Sequence, residues 1–272
     1  MYTIHGWSFH NDQSWFIKRL RIFFEHWLTH KTDKNITVSL PNQKTGKENI
    51  SHFDSVVINN GIDLNRFDPD KRFENVRLQL GISEDKCLIG FIGRITAQKD
   101  PLTLLKAFKK VREKNKNALL LIVGDGELKP QAIQLANELN IKDAVVFEGF
   151  RNDIPDVLNA VDIFCLPSLW EGLPIALLEA MAMSKAVVAT AVDGSAEILR
   201  NQQNSLTIPV RNEDALAETL SKLIDDKVWR RELGEQAKQT VTANYSAEKM
   251  TRQIEKLYLD VLHNSQPTML KG

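Results

Sequence analysis

The sequence predicts an α/β fold: a doubly wound, Rossmann-like parallel sheet with an incomplete N-terminal domain remnant in front of it. From Cys87 onward, short apolar runs alternate with amphipathic segments of helix length, the pattern of parallel strands joined by crossover helices. Before residue 50 that alternation is lacking, and after 212 only helical stretches follow. A chain of 272 residues has room for about two units.

At the start of the chain, TIHGWSFH places His5 at the end of a possible strand. A helix over 15–28 follows, in which Trp15, Leu20, Phe23, Phe24, Trp27 and Leu28 recur at helical spacing with Lys18, Arg19 and Arg21 between them. Two readings stay open for this stripe: the buried face of a domain helix, or a helix lying on a membrane surface. ITVS reads as a short strand, and the polar PNQKTGKENISH as a linker or loop. A complete βαβ-based domain needs on the order of 100 residues. Residues 1–50 therefore read as the end of a domain plus a linker.

The second unit spans 51–245. Its strands are CLIGFIG, ALLLIVG, AVVFEG, DIFCLP and AVVAT, with crossover helices at 101–115, 128–139, 153–160 and 174–183. Three helical stretches occupy 212–264, and Asn244 and Ser246 mark a break before the last of them. The third unit, 246–272, is that helix and a tail, NSQPTMLKG, expected to fray. In such sheets ligands bind where the carboxyl ends of strands open into helices, so the chemistry is sought there.

The richest strand end is PSLWEGLPIALLEAMAMSKAVVAT, residues 167–190. Gly172 can turn tightly after Glu171, and Pro174 suits the first position of a helix, where its missing N–H costs nothing. That N-terminus would bind an anion, with Glu179 further along able to accept hydrogen bonds from vicinal hydroxyls. By spacing alone, Glu171 and Glu179 are equally readable as solvated helix charges. In IGFIGRITAQKDP, Arg94 and Lys99 reach one strand end ahead of the Asp100 cap and Pro101. A planar fork and a point charge suit a diphosphate; ordinary surface cations remain the alternative. Gly124, after LLLIVG, either brings backbone close to a ligand or makes a plain turn. Phe150 lies against a base or packs in a core. His5 is a cleft candidate or a structural histidine.

Cys87 and Cys165 sit in apolar runs without metal-ligand spacing and read as core residues. Lys plus Arg number 35 and Asp plus Glu 35, so no overall field recruits nucleic acid or an anionic bilayer to the protein as a whole, and any anion must be met by local groups. The start of the chain lacks the basic, apolar, small-residue order of a secretory signal. A cytoplasmic location is expected, at the inner face of the membrane if 15–28 meets lipid.

Together these segments resemble a known family. Residues 56–260 are similar to the donor-binding domain of glycosyltransferase family 4, the retaining GT-B enzymes that use nucleotide sugars. The landmarks are VVINNGIDLNRF, GFIGRITAQKD, LLLIVGDGE, VVFEGF and the E-x7-E segment from Glu171 to Glu179. The resemblance implies that Glu179 holds the ribose and Glu171 contacts the transferred sugar. Arg94, Lys99 and amides around Gly172 and Leu173 would face the diphosphate. His5, with Gly6, would lie near the transferred sugar and acceptor. The implied reaction is transfer with retention from a UDP- or GDP-linked sugar to a glycan or lipid-linked acceptor, in surface polysaccharide or glycolipid assembly, with no cofactor and no metal.

Two departures stand out. The family's A-M-A-x-G-x-P is here AMAMSKAVV, with Ser184 for Gly and Ala186 for Pro. The Gly-rich loop that the family places before His5 has no counterpart, so a partner supplying an acceptor half is an expectation. The last helix, which in the family braces the acceptor domain, would have little to brace. The resemblance also leaves room for an inactive nucleotide-sugar-binding fragment without an acceptor domain. A GT-B sugar-nucleotide epimerase is a further alternative, against which the E-x7-E segment stands.

Overall fold

The computed structural model describes residues 1–10 and 13–265. The chain opens with a small parallel sheet: β1 (Tyr2–Ile4), helix α1 (Trp15–His30), β2 (Asn35–Thr37), helix α2 (Leu40–Asn49) and β3 (Val56–Val57), with strand order β1-β2-β3. Because β3 pairs with β2, the passage into the larger unit comes after Val57 and not at residue 50.

Helix α2 corrects the reading of 41–52 as a linker. Ser39 caps it, its hydroxyl accepting from the Asn42 amide at 3.2 Å, and Pro41 lies in its first turn. The stretch looked like a loop because only a narrow face is covered, at Asn42 and Gly46. A Cβ on Gly46 would lie 2.5 Å from the Phe53 ring and 2.6 Å from Trp7, so the helix can approach these rings only there.

A short α3 (Val76–Gln79) leads into the larger unit. This comprises β4 (Cys87–Ile92), α4 (Pro101–Lys114), β5 (Ala118–Val123), α5 (Lys129–Glu138), β6 (Val145–Glu148), α6 (Ile154–Ala160) and β7 (Ile163–Leu166). It continues with α7 (Ile175–Ala182), β8 (Ala186–Thr190), α8 (Ser195–Ile198), β9 (Leu206–Ile208), α9 (Glu213–Asp225) and α10 (Lys227–Asn244). The sheet is wholly parallel, in the order β6-β5-β4-β7-β8-β9. Its central strands are buried on both faces, which is why they read as continuous apolar runs rather than alternating ones. β9 escaped the sequence reading because Leu-Thr-Ile, between a polar stretch and Pro209, is too short to show a period. Cys165 is fully buried and Cys87 half-buried; burial, aided by Asp162, pushes the Cys87 thiol up to about 11.

The last helix, α11 (Ala247–Ser265), crosses back to the N-terminal unit. Ile62 and Ser246 form a parallel bridge, and Leu257 then packs with Ile36 and Ile58. It therefore does have a surface to brace, contrary to the expectation from sequence, because β2 and the residue after β3 present these apolar side chains. From 266 onward, the tail expected to fray lies outside the described residues.

Ser184 ends α7 in the left-handed region, at φ 54°, with its amide on Met181 O. Its hydroxyl is buried and meets no partner among the described residues. Replacing it by glycine removes both penalties and leaves only glycine's larger unfolded-state entropy. Ser184→Gly is expected to stabilise the fold by about 1 kcal/mol, raising Tm by about 2–4 °C. A thermal melt with an unchanged or lower midpoint would refute this.

Candidate functional site

β4 and β7 lie side by side at the centre of the sheet, yet the strands after them continue to opposite sides. Their outgoing loops diverge and open a crevice at the carboxyl end. A cleft of about 1000 Å³ occupies this position. Gly93 follows β4, and Arg94, Gln98 and Lys99 line the cleft from the segment beyond it; after β7 come Leu169 to Leu173. The N-terminal unit lines the opposite side with His5, Gly6, Trp7 and Asn42.

The electrostatic centre is Glu171, only 5% exposed. One of its carboxylate oxygens accepts from Lys99 Nζ, whose side chain is 14% exposed, and from Ser168 Oγ at 2.6 Å. The Glu171 amide donates to Asp193 Oδ2 at 3.0 Å. Burial pushes the Asp193 carboxyl up; this amide pulls it back, and the Glu171 charge raises it again. Arg94 is exposed at the same strand end and donates to Gln98 Oε1 at 3.5 Å. Next to this cluster α7 begins at Ile175, one position later than expected, so that Pro174 is its N-cap and not its first residue. Its first-turn amides have no carbonyl one turn back, so they point outward with the positive end of the helix dipole.

The two units meet through backbone. A Cβ on Gly172 would lie 1.6 Å from the His5 carbonyl oxygen, and one on Gly194 would lie 1.6 Å from the Gly172 carbonyl oxygen. Gly172 does not adopt a positive φ. Glycine is thus required there by this stacking of three backbones, rather than by the tight turn expected from sequence. Side chains tie the seam. Asn60 Nδ2 donates to Leu173 O at 2.8 Å, and Glu197 accepts from the Leu40 amide and from Asn59 Nδ2 at 3.2 Å. The His10 ring stacks on Trp170 with centroids 4.1 Å apart.

Of the residues singled out in the sequence, His5, Arg94, Lys99, Glu171, Gly172 and Leu173 converge on the cleft. Gly124, Phe150 and Glu179 lie off its lining. At Gly124, φ is 141° and a Cβ would lie 2.0 Å from Gly93 O, so strand-end packing accounts for the glycine. Phe150 is 82% exposed, which removes the core-packing alternative. Glu179 is half-buried in α7; burial pushes its carboxyl up to about 7, and Arg66 pulls it back.

Residues 72–240, more than half of the chain, match the family described as Glycosyl transferases group 1. The chain belongs to this family. Among curated relatives of this group 1 chain is UDP-Gal:alpha-D-GlcNAc-diphosphoundecaprenol alpha-1,3-galactosyltransferase of Escherichia coli. It is 28% identical over 277 residues, covering 97% of this chain and 70% of the relative. A putative teichuronic acid biosynthesis glycosyltransferase of Bacillus subtilis is 29% identical over 231 residues, covering 85% and 57%. The chain thus spans little more than half of the second relative's length. Among solved structures, Anabaena HepE in complex with UDP and glucose superposes with a TM-score of 0.84 at 21% identity, covering 94% of this chain and 70% of that one. At that identity the likeness establishes the fold, GT-B.

Within this group 1 member, sequence reasoning missed Ser168, Asp193, Asn60, Glu197 and Arg66. Ser168 carried a usable signal, lying three residues before Glu171 at the same strand end. Asp193 follows β8 in V-D-G-S, where a lone acid in a turn carries no pattern of its own. Asn60, Glu197 and Arg66 act only through contacts distant in sequence, and no local pattern marks them.

Proposed function

We propose that the cleft binds a UDP- or GDP-linked sugar and transfers the sugar, with retention, to a glycan or lipid-linked acceptor in surface polysaccharide or glycolipid assembly. The observation that carries this reading is the buried Lys99–Glu171–Ser168 cluster beside Arg94 and the start of α7. As the bond to the sugar breaks, negative charge accumulates on the departing diphosphate. Cations and helix-terminal amides already in place stabilise that charge more than they stabilise the ground state. Glu171, held by Lys99 and Ser168, is positioned to meet the transferred sugar. His5 approaches from the acceptor side. The kinship with the Escherichia coli and Bacillus subtilis proteins supports the pathway class.

Calorimetric titration with UDP and GDP tests the reading: one nucleotide binds saturably, and Glu179→Ala weakens it by about 1–3 kcal/mol, the range for a charged hydrogen-bond acceptor. Failure of the folded protein to bind either nucleotide overturns it. A pH series sharpens the test. The carboxylate, not the acid, accepts from two ribose hydroxyls, and burial holds Glu179 near 7. Affinity is therefore expected to rise about tenfold from pH 6 to pH 8. Glu179→Gln should flatten this component, leaving only the nucleotide's own titration.

A further inference from the structure

Helix α1 covers little of its own protein. Among its residues only Glu25 and Thr29 are buried, with Ile22 packed beside Tyr2 and Trp7. On the other side Phe16, Leu20, Phe23, Phe24, Trp27 and Leu28 are 37–69% exposed. At 100° per residue they fall within an arc of about 140°. This settles one of the two readings of the stripe for the described residues: it is not the buried face of the helix.

The charges around the arc have one sign. Arg19, Arg21 and the C-cap residue Lys31 are exposed cations. The helix's one acid, Glu25, is buried and accepts from the Tyr2 hydroxyl at 3.0 Å. The chain as a whole is neutral, with 35 basic and 35 acidic residues, so this is a local concentration of positive charge. Aromatic rings rimmed by Arg and Lys match the boundary of an anionic bilayer, where rings enter the headgroup region and cations meet lipid phosphates. No helix among the described residues is long and apolar enough to cross a membrane.

We propose that α1 seats the protein on an anionic lipid bilayer through this face. The helix also reaches the cleft: Lys18 lines it, as do Phe9 and His10 in the segment ahead of α1. The seated protein holds its cleft mouth beside the lipid surface. This attachment does not depend on the donor chemistry proposed above.

The test is flotation of the full chain with phosphatidylcholine vesicles, without and with phosphatidylglycerol, combined with quenching of tryptophan fluorescence by brominated lipid. Binding is expected only with phosphatidylglycerol, with quenching. It should weaken roughly thirtyfold in Arg19→Gln/Arg21→Gln, at about one charge's worth each. A Phe23→Ser/Phe24→Ser/Trp27→Ser variant should lose at least about tenfold. These three side chains are 54–62% exposed, so the variant should keep the parent's melting temperature, which a thermal melt checks. No flotation with phosphatidylglycerol, or flotation unchanged by the triple substitution, overturns the proposal. So does self-association abolished by that substitution in a protein that ignores vesicles, which would assign the face to a second copy.

Discussion

Gly172→Ala is expected to unseat the N-terminal unit from the sheet and to lower transfer about a hundredfold. The new methyl would lie 1.6 Å from His5 O and 2.7 Å from His5 C, both backbone atoms that cannot swing aside. Either the end of β1 or the loop carrying Glu171 must move by more than 1 Å. The cost is steric alone, since φ is already acceptable for alanine. Overpacking against rigid backbone places the loss of unfolding free energy at about 3 kcal/mol. Displacement of Glu171 relative to Lys99 should lower turnover about a hundredfold, as catalysis tolerates little misplacement. Gly149→Ala is the control: a Cβ there meets nothing within 4 Å, so stability should stay within about 0.5 kcal/mol. Urea unfolding and a donor-turnover assay on both variants decide it. Parental behaviour of Gly172→Ala would show that the close approach is not maintained.

Lys99→Met should have the second large effect, through two separable routes. Glu171, 5% exposed, loses its cation and keeps Ser168 as its side-chain donor. Leaving a buried charge unpaired costs about 3–5 kcal/mol of stability. The double variant Lys99→Met/Glu171→Gln removes the orphaned charge and should recover a good part of that loss. Activity should not return with it. Removing one preorganised group that stabilises developing negative charge costs about a hundred- to a thousandfold in rate. If the stability losses of the two single variants simply add in the double variant, Lys99 and Glu171 are not energetically coupled.

Much of the larger unit was legible because its signals are local. A parallel strand covered on both faces must be apolar throughout, so CLIGFIG and ALLLIVG announce β4 and β5 without reference to any partner. Asp100 and Pro101 mark the start of α4 for the same reason, since a cap acts within one turn. Helix α2 was illegible because its buried face is a glycine and an asparagine, which have no apolar period. The stripe on α1 was legible as a pattern but not in its meaning, because the same residues make a core face or a lipid face according to what packs on them.

By itself the sequence determined the strands of a doubly wound sheet and the cations and carboxylates at their ends, because propensity, capping and apolar periodicity act over a few residues. Only the tertiary structure decided which ends meet. It put β4 beside β7 at the centre of the sheet, paired Lys99 with Glu171, left Phe150 exposed, and pressed His5 onto Gly172. Those contacts join residues far apart in the chain, and their energy exists only once the backbone has brought them together.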